Sequence, residues 1–147
     1  MLEITKEQWQ EPKFKEVLTL NYKFKDEEHK AFFEEQVEKT NSTSDPFRKS
    51  LFYALGLTKE TRNNIEQLYD YSESCIEFEG LKKGWQTGTT IKVCRLAFNL
   101  YNGLHGEHDE KERASSYTPY ELFDCSLMEY MFEAVRIRYE EYSWLPY

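Results

Sequence analysis

The spacing of apolar residues changes near residue 25 of the chain. Val17 to Lys25 alternates apolar and polar side chains, which is the period of a strand, and follows a lead that contains Pro12. From Asp26 onward the apolar residues recur every three or four positions, as they do on one face of an amphipathic helix. The pattern predicts an extended arm or short β-hairpin in residues 1–25 and a helical domain in residues 26–139.

Capping signals mark where the first helices begin. Asp26 is a suitable N-cap, glutamates occupy the first turn after it, and the run NSTSD ends this helix. The Asp45-Pro46 pair predicts a second helix that runs to Leu55, because aspartate accepts bonds from free amides and proline loses no bond at the first helical position. Thr58 is expected to open a third helix that continues to about Tyr69.

One segment, from Thr89 to Tyr101, is apolar on most of its circumference. Two apolar faces run side by side along it, formed by Ile91, Cys94, Phe98 and Tyr101 and by Val93, Ala97 and Leu100. A helix of this kind has to be covered on several sides, so it is the predicted centre of the domain. The fold class that follows is mainly α, a compact single-domain helical bundle around this central helix.

The last third of the chain contains a polar loop and further helix. Residues 103–116 hold two glycines and a dense mix of charges, which predicts a loop. Thr118, Pro119 and Glu121 have the spacing of a capping box, followed by a helix that breaks near residues 124–126 and resumes to about Tyr139. Its predicted core-facing residues are Leu127, Met131, Ala134, Val135 and Ile137.

The net charge of the chain bears on which kinds of macromolecule it can bind. The 147 residues include 27 acidic and 19 basic side chains, and the formal charge of -8 opposes binding to nucleic acid or to an anionic membrane surface. A cationic protein partner fits this charge. The alternative is that acidic side chains keep a chain with 16 % aromatic residues in solution, and the charge alone does not decide between the two.

The cysteines and the hydropathy bear on the cellular compartment. Cys75, Cys94 and Cys125 are odd in number, widely separated and without a CxxC pair, so neither a disulfide framework nor a zinc knuckle is indicated. The N-terminal stretch is polar, and no apolar run approaches the ~18 residues that a membrane span needs. We therefore expect a protein of the cytoplasm, with reduced thiols and no membrane association.

The stretch GWQTGTTIKVCR, residues 84–95, raises the question of a phosphate site. A P-loop is excluded, because Gly84 and Gly88 are one residue too close and Thr89 stands where the lysine should be. A weaker hypothesis survives, since a helix that begins near Thr89 offers amide groups and a positive dipole end to an anion. The alternative interpretation is that Thr87 or Thr89 caps the helix and that Trp85 packs the turn onto the core.

Arg95 lies on an apolar face of the predicted central helix. Its charge must therefore reach solvent, pair with a carboxylate or line a cavity, and a structural ion pair with Asp45 or Asp70 is one interpretation. The other is a site for a nucleotide-like or other phosphate-bearing small molecule. The candidate ligand-binding residues under this hypothesis are Trp85, Gln86, Thr87, Thr89, Thr90, Lys92, Arg95, Asn99, Arg48 and Arg62.

No combination of residues predicts catalysis. Cys94 and Cys125 lie in apolar runs typical of inert core thiols, so no catalytic residue and no cofactor is predicted. His105 and His108 have the spacing of two metal ligands, but their glycine-rich context argues against a preformed site, and no metal is predicted. His29 stands alone in its helix and is expected to contact solvent.

Three segments carry a resemblance to a known family. DPFRKSLFYALGLTKETR, GLKKGWQTGTTIKVCRLAFNLYNG and YTPYELFDCSLMEYMFEAVRIRY are similar to an uncharacterised family of short proteins from Gram-positive bacteria, their prophages and mobile elements. The resemblance covers about Lys25 to Tyr139, and the GWQTG turn with the RLAFNLYNG helix is its most recognisable part. It implies a setting and no activity, so no catalytic residue is carried over.

The setting leads to two functional hypotheses. The first is a non-enzymatic phage or mobile-element accessory protein that binds and inhibits a host protein, such as a defence factor, in the host cytoplasm. Its predicted partner-binding residues are Tyr142, Trp144 and Tyr147 in an aromatic tail, residues 140–147, of side-chain types enriched at interfaces. The alternative is a binder that sequesters a phosphate-bearing or nucleotide signal near Thr87 to Thr90. Self-association into a homo-oligomer is left open.

Overall fold

Side-chain caps begin the first three helices at the residues that the sequence marks. In a computed structural model of the protein, which describes residues 22–107, 109 and 111–142, α1 spans Glu27–Lys39, α2 spans Pro46–Leu55 and α3 spans Lys59–Asn63. Asp26 accepts a hydrogen bond from the His29 amide at 2.8 Å. Asp45 caps α2 and Thr58 caps α3 in the same way. The three predicted helix starts are confirmed.

The third helix is shorter than predicted. It ends at Asn63, and a 3-10 turn at Ile65–Gln67 leads into a two-residue strand, β1, Tyr69–Asp70. Asn64 donates its side-chain amide to the carbonyl oxygen of Glu60 at 2.8 Å, a local bond of the kind that competes with helix continuation. β1 pairs antiparallel with β2, Cys75–Ile76, with Tyr69 opposite Ile76.

Three further helices complete the domain. α4 spans Gly88–Asn102, α5 spans Pro119–Leu122 and α6 spans Met128–Arg138. α2 packs against α1, α4 and α6, while α4 also contacts α3, α5 and α6. One hydrophobic core lies between these helices, with contributions from α1, α2, α4 and α6. The predicted mainly α-helical single domain is confirmed. Of the predicted strand in residues 17–25, residues 17–21 lie outside the described residues and residues 22–25 form no strand.

The start of α5 differs from the predicted capping box. Thr118 makes no side-chain cap, and its hydroxyl instead donates to the carbonyl oxygen of Ser115 at 2.9 Å. The reason is the 3-10 turn at Ala114–Tyr117, which directly precedes Thr118 and offers its carbonyl groups to that hydroxyl. The predicted break near residues 124–126 is confirmed, because α5 ends at Leu122 and α6 begins at Met128.

His29 is buried, so the expectation that it contacts solvent is wrong. Its side chain has no exposed surface, since it lies between Phe24 and Tyr53 with ring centroids 5.3 and 4.5 Å away. The Nδ1 atom accepts from the Lys25 amide at 3.1 Å, and Nε2 lies 2.8 Å from the carbonyl oxygen of Tyr53. These contacts require a neutral ring that donates from Nε2. Burial lowers the pKa of His29 to about 4.

Two further core side chains hold the segment that precedes α1. The Tyr53 hydroxyl donates to the carbonyl oxygen of Lys23, and the Lys23 amide donates to Glu133 Oε2 at 2.7 Å. Glu133 is almost fully buried, and its Oε1 atom has no hydrogen bond to any described residue, with Arg136 Nε 3.7 Å away. Residues 23–25 are thus bonded to polar side chains from α1, α2 and α6. We call His29, Tyr53 and Glu133 the polar clasp.

The clasp predicts a pH dependence of stability. Because the folded pKa of His29, about 4, lies below its ordinary 6.5, the unfolded chain binds a proton first as the pH falls. The stabilisation is fully present above pH 6.5 and is lost progressively as the pH falls to about 4. Its size is about 3 kcal/mol at 1.36 kcal/mol per pKa unit. Urea denaturation of the wild type and of His29→Gln between pH 7 and 4 checks this. Equal pH slopes in the two proteins would contradict it.

A close backbone approach makes Gly80 sensitive to substitution. A Cβ atom at Gly80 would collide with the Gln67 carbonyl oxygen and would lie 2.6 Å from Leu68 Cδ2. Gly80→Ala should therefore lower the free energy of unfolding by about 1–3 kcal/mol, because backbone has to move. Gly84→Ala is the matched control, since nothing lies within 4 Å of its Cβ position, and it should change stability by less than about 0.5 kcal/mol. Urea denaturation measures both.

Candidate functional site

Polar side chains of the GWQTG turn form hydrogen bonds with the first turn of the helix that follows. Thr87 is the N-cap of α4 and forms a capping box with Thr90, in which the Thr90 amide donates to Thr87 Oγ1 at 3.1 Å and the Thr87 amide donates to Thr90 Oγ1 at 2.7 Å. The Thr90 hydroxyl donates to Gln86 Oε1 at 2.7 Å. Trp85 packs against the core, and its indole Nε1 donates to Gln67 Oε1. The capping interpretation is confirmed for Thr87, while Thr89 is half-buried in the first turn.

The basic candidates are bonded to different parts of the chain. Lys92 donates to the carbonyl oxygen of Glu121, and Arg62 donates to that of Gly56. Arg48 donates from Nε to the Tyr69 hydroxyl at 3.1 Å, and its Nη1 lies 3.4 Å from Asp45 Oδ2. Asn99 donates to the carbonyl oxygen of Leu104 at 2.8 Å, just beyond the end of α4. None of these bonds joins a basic side chain to the GWQTG turn.

Arg95 forms a structural ion pair, as one of the two hypotheses for it predicted, but its partner is a different carboxylate. Its Nε and Nη2 atoms donate to both oxygens of Glu112, at 3.1 and 2.8 Å. The Tyr117 hydroxyl donates to Glu112 Oε1 at 2.7 Å, and hydrogen bonding to Glu112 raises the pKa of Arg95. Of the two expected partners, Asp45 pairs with Arg48, and Asp70 accepts hydrogen bonds from the amides of Ser72 and Glu73. The pair attaches the loop after α4 to the middle of that helix.

The histidine, cysteine and acidic side chains are the remaining groups that could act chemically. Within those residues, no group of three or more histidine, cysteine or acidic side chains has a metal-binding arrangement, and His108 lies outside them. All three cysteines are free, and burial raises the pKa of Cys94 to about 12, which keeps its thiol protonated. No helix among the described residues combines the length and apolar character of a membrane span.

The exposed face of α6 is the most distinctive surface among the described residues. Four side chains at helical spacing form it, and we call them the aromatic face: Met128, Phe132, Val135 and Tyr139. Phe132 is 42 % exposed and Tyr139 is 44 % exposed, while Val135 is partly buried against the core. Tyr142, in the following 3-10 turn, is 72 % exposed and continues the face. Tyr142 is thus exposed, and Trp144 and Tyr147, the other two predicted partner-binding residues, lie outside the described residues.

Neighbouring rings fix the side chains of the aromatic face. Phe123 meets Phe132 edge-to-face at a centroid distance of 4.9 Å, and Tyr139 lies 6.5 Å from the Tyr142 ring. The Arg138 guanidinium lies 3.7 Å from the Phe47 ring centroid and 4.7 Å from that of Tyr139. Arg138 Nε also donates to the carbonyl oxygen of Leu100. The ordered surface therefore extends from α6 to the start of α2.

Sequence reasoning missed the aromatic face. It assigned α6 one buried side, and the structure does bury Leu127, Met131, Ala134 and Ile137. The signal was present, because a second apolar series, 128, 132, 135 and 139, runs beside the first at the same spacing. To bury both series, a helix must pack against other elements on two sides, and among the described residues α6 does so on only one.

A comparison with protein families places the chain. One family model matches residues 19–144, which is most of the chain and includes every described helix. The chain belongs to DUF6075, a family of unknown function. No curated protein and no solved structure matches it. Membership in DUF6075 agrees with the resemblance to an uncharacterised family, and leaves the aromatic face and the GWQTG turn to be judged on their contacts.

The contacts of the GWQTG turn predict the outcome of a ligand screen. A phosphate bound there would have to compete with the bonds among Gln86, Thr87 and Thr90. We therefore expect no change in melting temperature with mono-, di- or cyclic nucleotides or with inorganic phosphate. A ligand present at 100 times its dissociation constant would instead add about 2.7 kcal/mol. A shift that Thr87→Val abolishes would contradict the expectation and support the phosphate hypothesis.

Proposed function

We propose that the protein is a non-enzymatic accessory protein that binds a host protein through the aromatic face and thereby inhibits it. The exposure of Phe132, Tyr139 and Tyr142 on one side of the domain is the observation that carries the proposal. Tyrosine and phenylalanine are enriched in the buried centres of protein interfaces, where they supply large contact areas at low conformational cost. A phage or mobile-element origin, with a host defence factor as the target, is the setting that the family resemblance favours.

The charge around the aromatic face favours a basic partner. Exposed carboxylates stand next to its residues in the chain, namely Asp124 after Phe123, Glu129 after Met128 and Glu141 before Tyr142. With a formal charge of -8 on the whole chain, these groups would accelerate encounter with a positively charged protein surface. The apolar centre of the face would then supply most of the affinity, and the surrounding carboxylates would determine which partner is bound.

The sequestration of a phosphate-bearing signal has no comparable support. Its candidate residues Thr87, Thr90 and Gln86 are bonded to one another, and Arg95 is bonded to Glu112. Lys92 and Arg62 are bonded to backbone carbonyl groups elsewhere. We therefore propose the protein partner alone.

Affinity capture with matched variants tests the proposal. The wild-type chain should retain a specific protein from a lysate of a Gram-positive host, and Phe132→Asp should lose it, because a charge in a buried apolar contact is left without a partner. For the purified pair we expect at least a thirtyfold rise in Kd, which corresponds to about 2 kcal/mol. Binding of the wild type should also lower the activity of the captured protein.

Tyr120→Asp is the control, because it introduces the same charge at an exposed aromatic residue of α5, outside the aromatic face. It should capture the same protein as the wild type. The proposal fails if the wild type retains nothing beyond what an unrelated acidic protein retains. It also fails if Phe132→Asp and Tyr120→Asp retain the partner equally well.

A further inference from the structure

The spacing of the aromatic face is that of a helix-pairing surface. Met128, Phe132, Val135 and Tyr139 are separated by four, three and four residues, and Tyr142 follows three residues later. Alternating steps of three and four are the repeat by which two helices interdigitate side chains along a common seam. The opposite side of α6 already packs in the core, while Phe132 and Tyr139 on the seam remain exposed among the described residues, so the seam can accept a further helix.

Charge along α6 fits a second copy of the same helix in the opposite direction. Glu129 lies in the first turn, and Arg136 and Arg138 lie in the last turn. An antiparallel pair brings Glu129 of one copy near Arg136 of the other at both ends of the seam. The exposed carboxylates of Asp124 and Glu141, in contrast, repel those of the second copy and keep the pair weak. A parallel pair would instead bring like charges together, and its helix dipoles would repel one another.

We propose that a second copy of this chain covers the aromatic face as an antiparallel α6 pair. The two-fold axis lies between residues 132 and 135, so that Phe132 meets Val135 of the second copy and Met128 meets Tyr139. An 11-residue helix is only about 16 Å long, and the interface is smaller than that of a standard stable complex. The dimer is therefore weak, and a host protein that binds the same face displaces it. This competition rests on the proposed function, whereas the dimer itself does not.

Sedimentation velocity of the purified full chain tests the dimer. The wild type should shift from monomer to dimer as its concentration rises through the micromolar range. Phe132→Asp should raise the dimer dissociation constant by at least tenfold, and Tyr120→Asp should leave it unchanged. A wild type that stays monomeric, or a Phe132→Asp variant that dimerises like the wild type, overturns the inference. Thermal denaturation checks that both variants are folded, and Met128→Lys is a second variant with the same expected loss.

Cysteine cross-linking tests the direction of the helices. In a background of Cys75→Ser and Cys125→Ser, a Met128→Cys protein mixed with a Tyr139→Cys protein should form a disulfide-linked pair. Met128→Cys alone should not, because residues 128 of the two copies lie about 16 Å apart along an antiparallel seam. Linkage of Met128→Cys to itself, or no linkage in the mixture, overturns the arrangement.

The two proposals fail separately. A monomeric wild type that still captures a host protein removes the dimer and leaves the proposed function standing. A wild type that dimerises but captures no host protein removes the proposed function and leaves the dimer standing.

Discussion

The packing of α2 against α4 is the contact on which the rest of the fold depends. Leu51 to Leu55 are five consecutive residues with no exposed surface, so α2 has to be covered on every side along its second half. α4 covers one side, and α1 and α6 cover others. Burial of each large apolar side chain contributes about 1.5–3 kcal/mol, so the second half of this short helix stabilises the domain strongly. The orientation of α6, and hence of its uncovered side, follows from where α2 receives it.

Predictions from the sequence succeed where the deciding contact is local. Asp26, Asp45 and Thr87 cap their helices through amides two or three residues ahead, so a single residue and its spacing were enough. They fail where the deciding partner is distant. His29 can be buried because the carbonyl oxygen of Tyr53, 24 residues away, accepts a hydrogen bond from its Nε2, and the charge of Arg95 is paired with Glu112, 17 residues away. No helical period encodes either partner.

The two candidate surfaces illustrate the same limit. The sequence of residues 84–90 is polar and contains two glycines, which is why it was a candidate anion site. It does not show that the threonine and glutamine side chains form hydrogen bonds to one another. In α6 the sequence contained both apolar series, but only the docking of α2 and α4 decides which series is buried. Tyr142 was a candidate because it belongs to an aromatic, acidic run whose side-chain types are enriched at interfaces. Phe132 was not, because it sits one residue from the buried Met131.

The guanidinium of Arg138 links three helices directly beneath the exposed rings. It bonds to the end of α4 through Leu100, lies against Phe47 at the start of α2 and belongs itself to α6. The Phe47 and Tyr139 rings, which contact it, would therefore lose less side-chain freedom in a contact with another molecule than freely rotating rings would. Much of the entropy that recognition normally costs at a surface of mobile side chains is already spent during folding. Even a small contact area can then yield useful affinity.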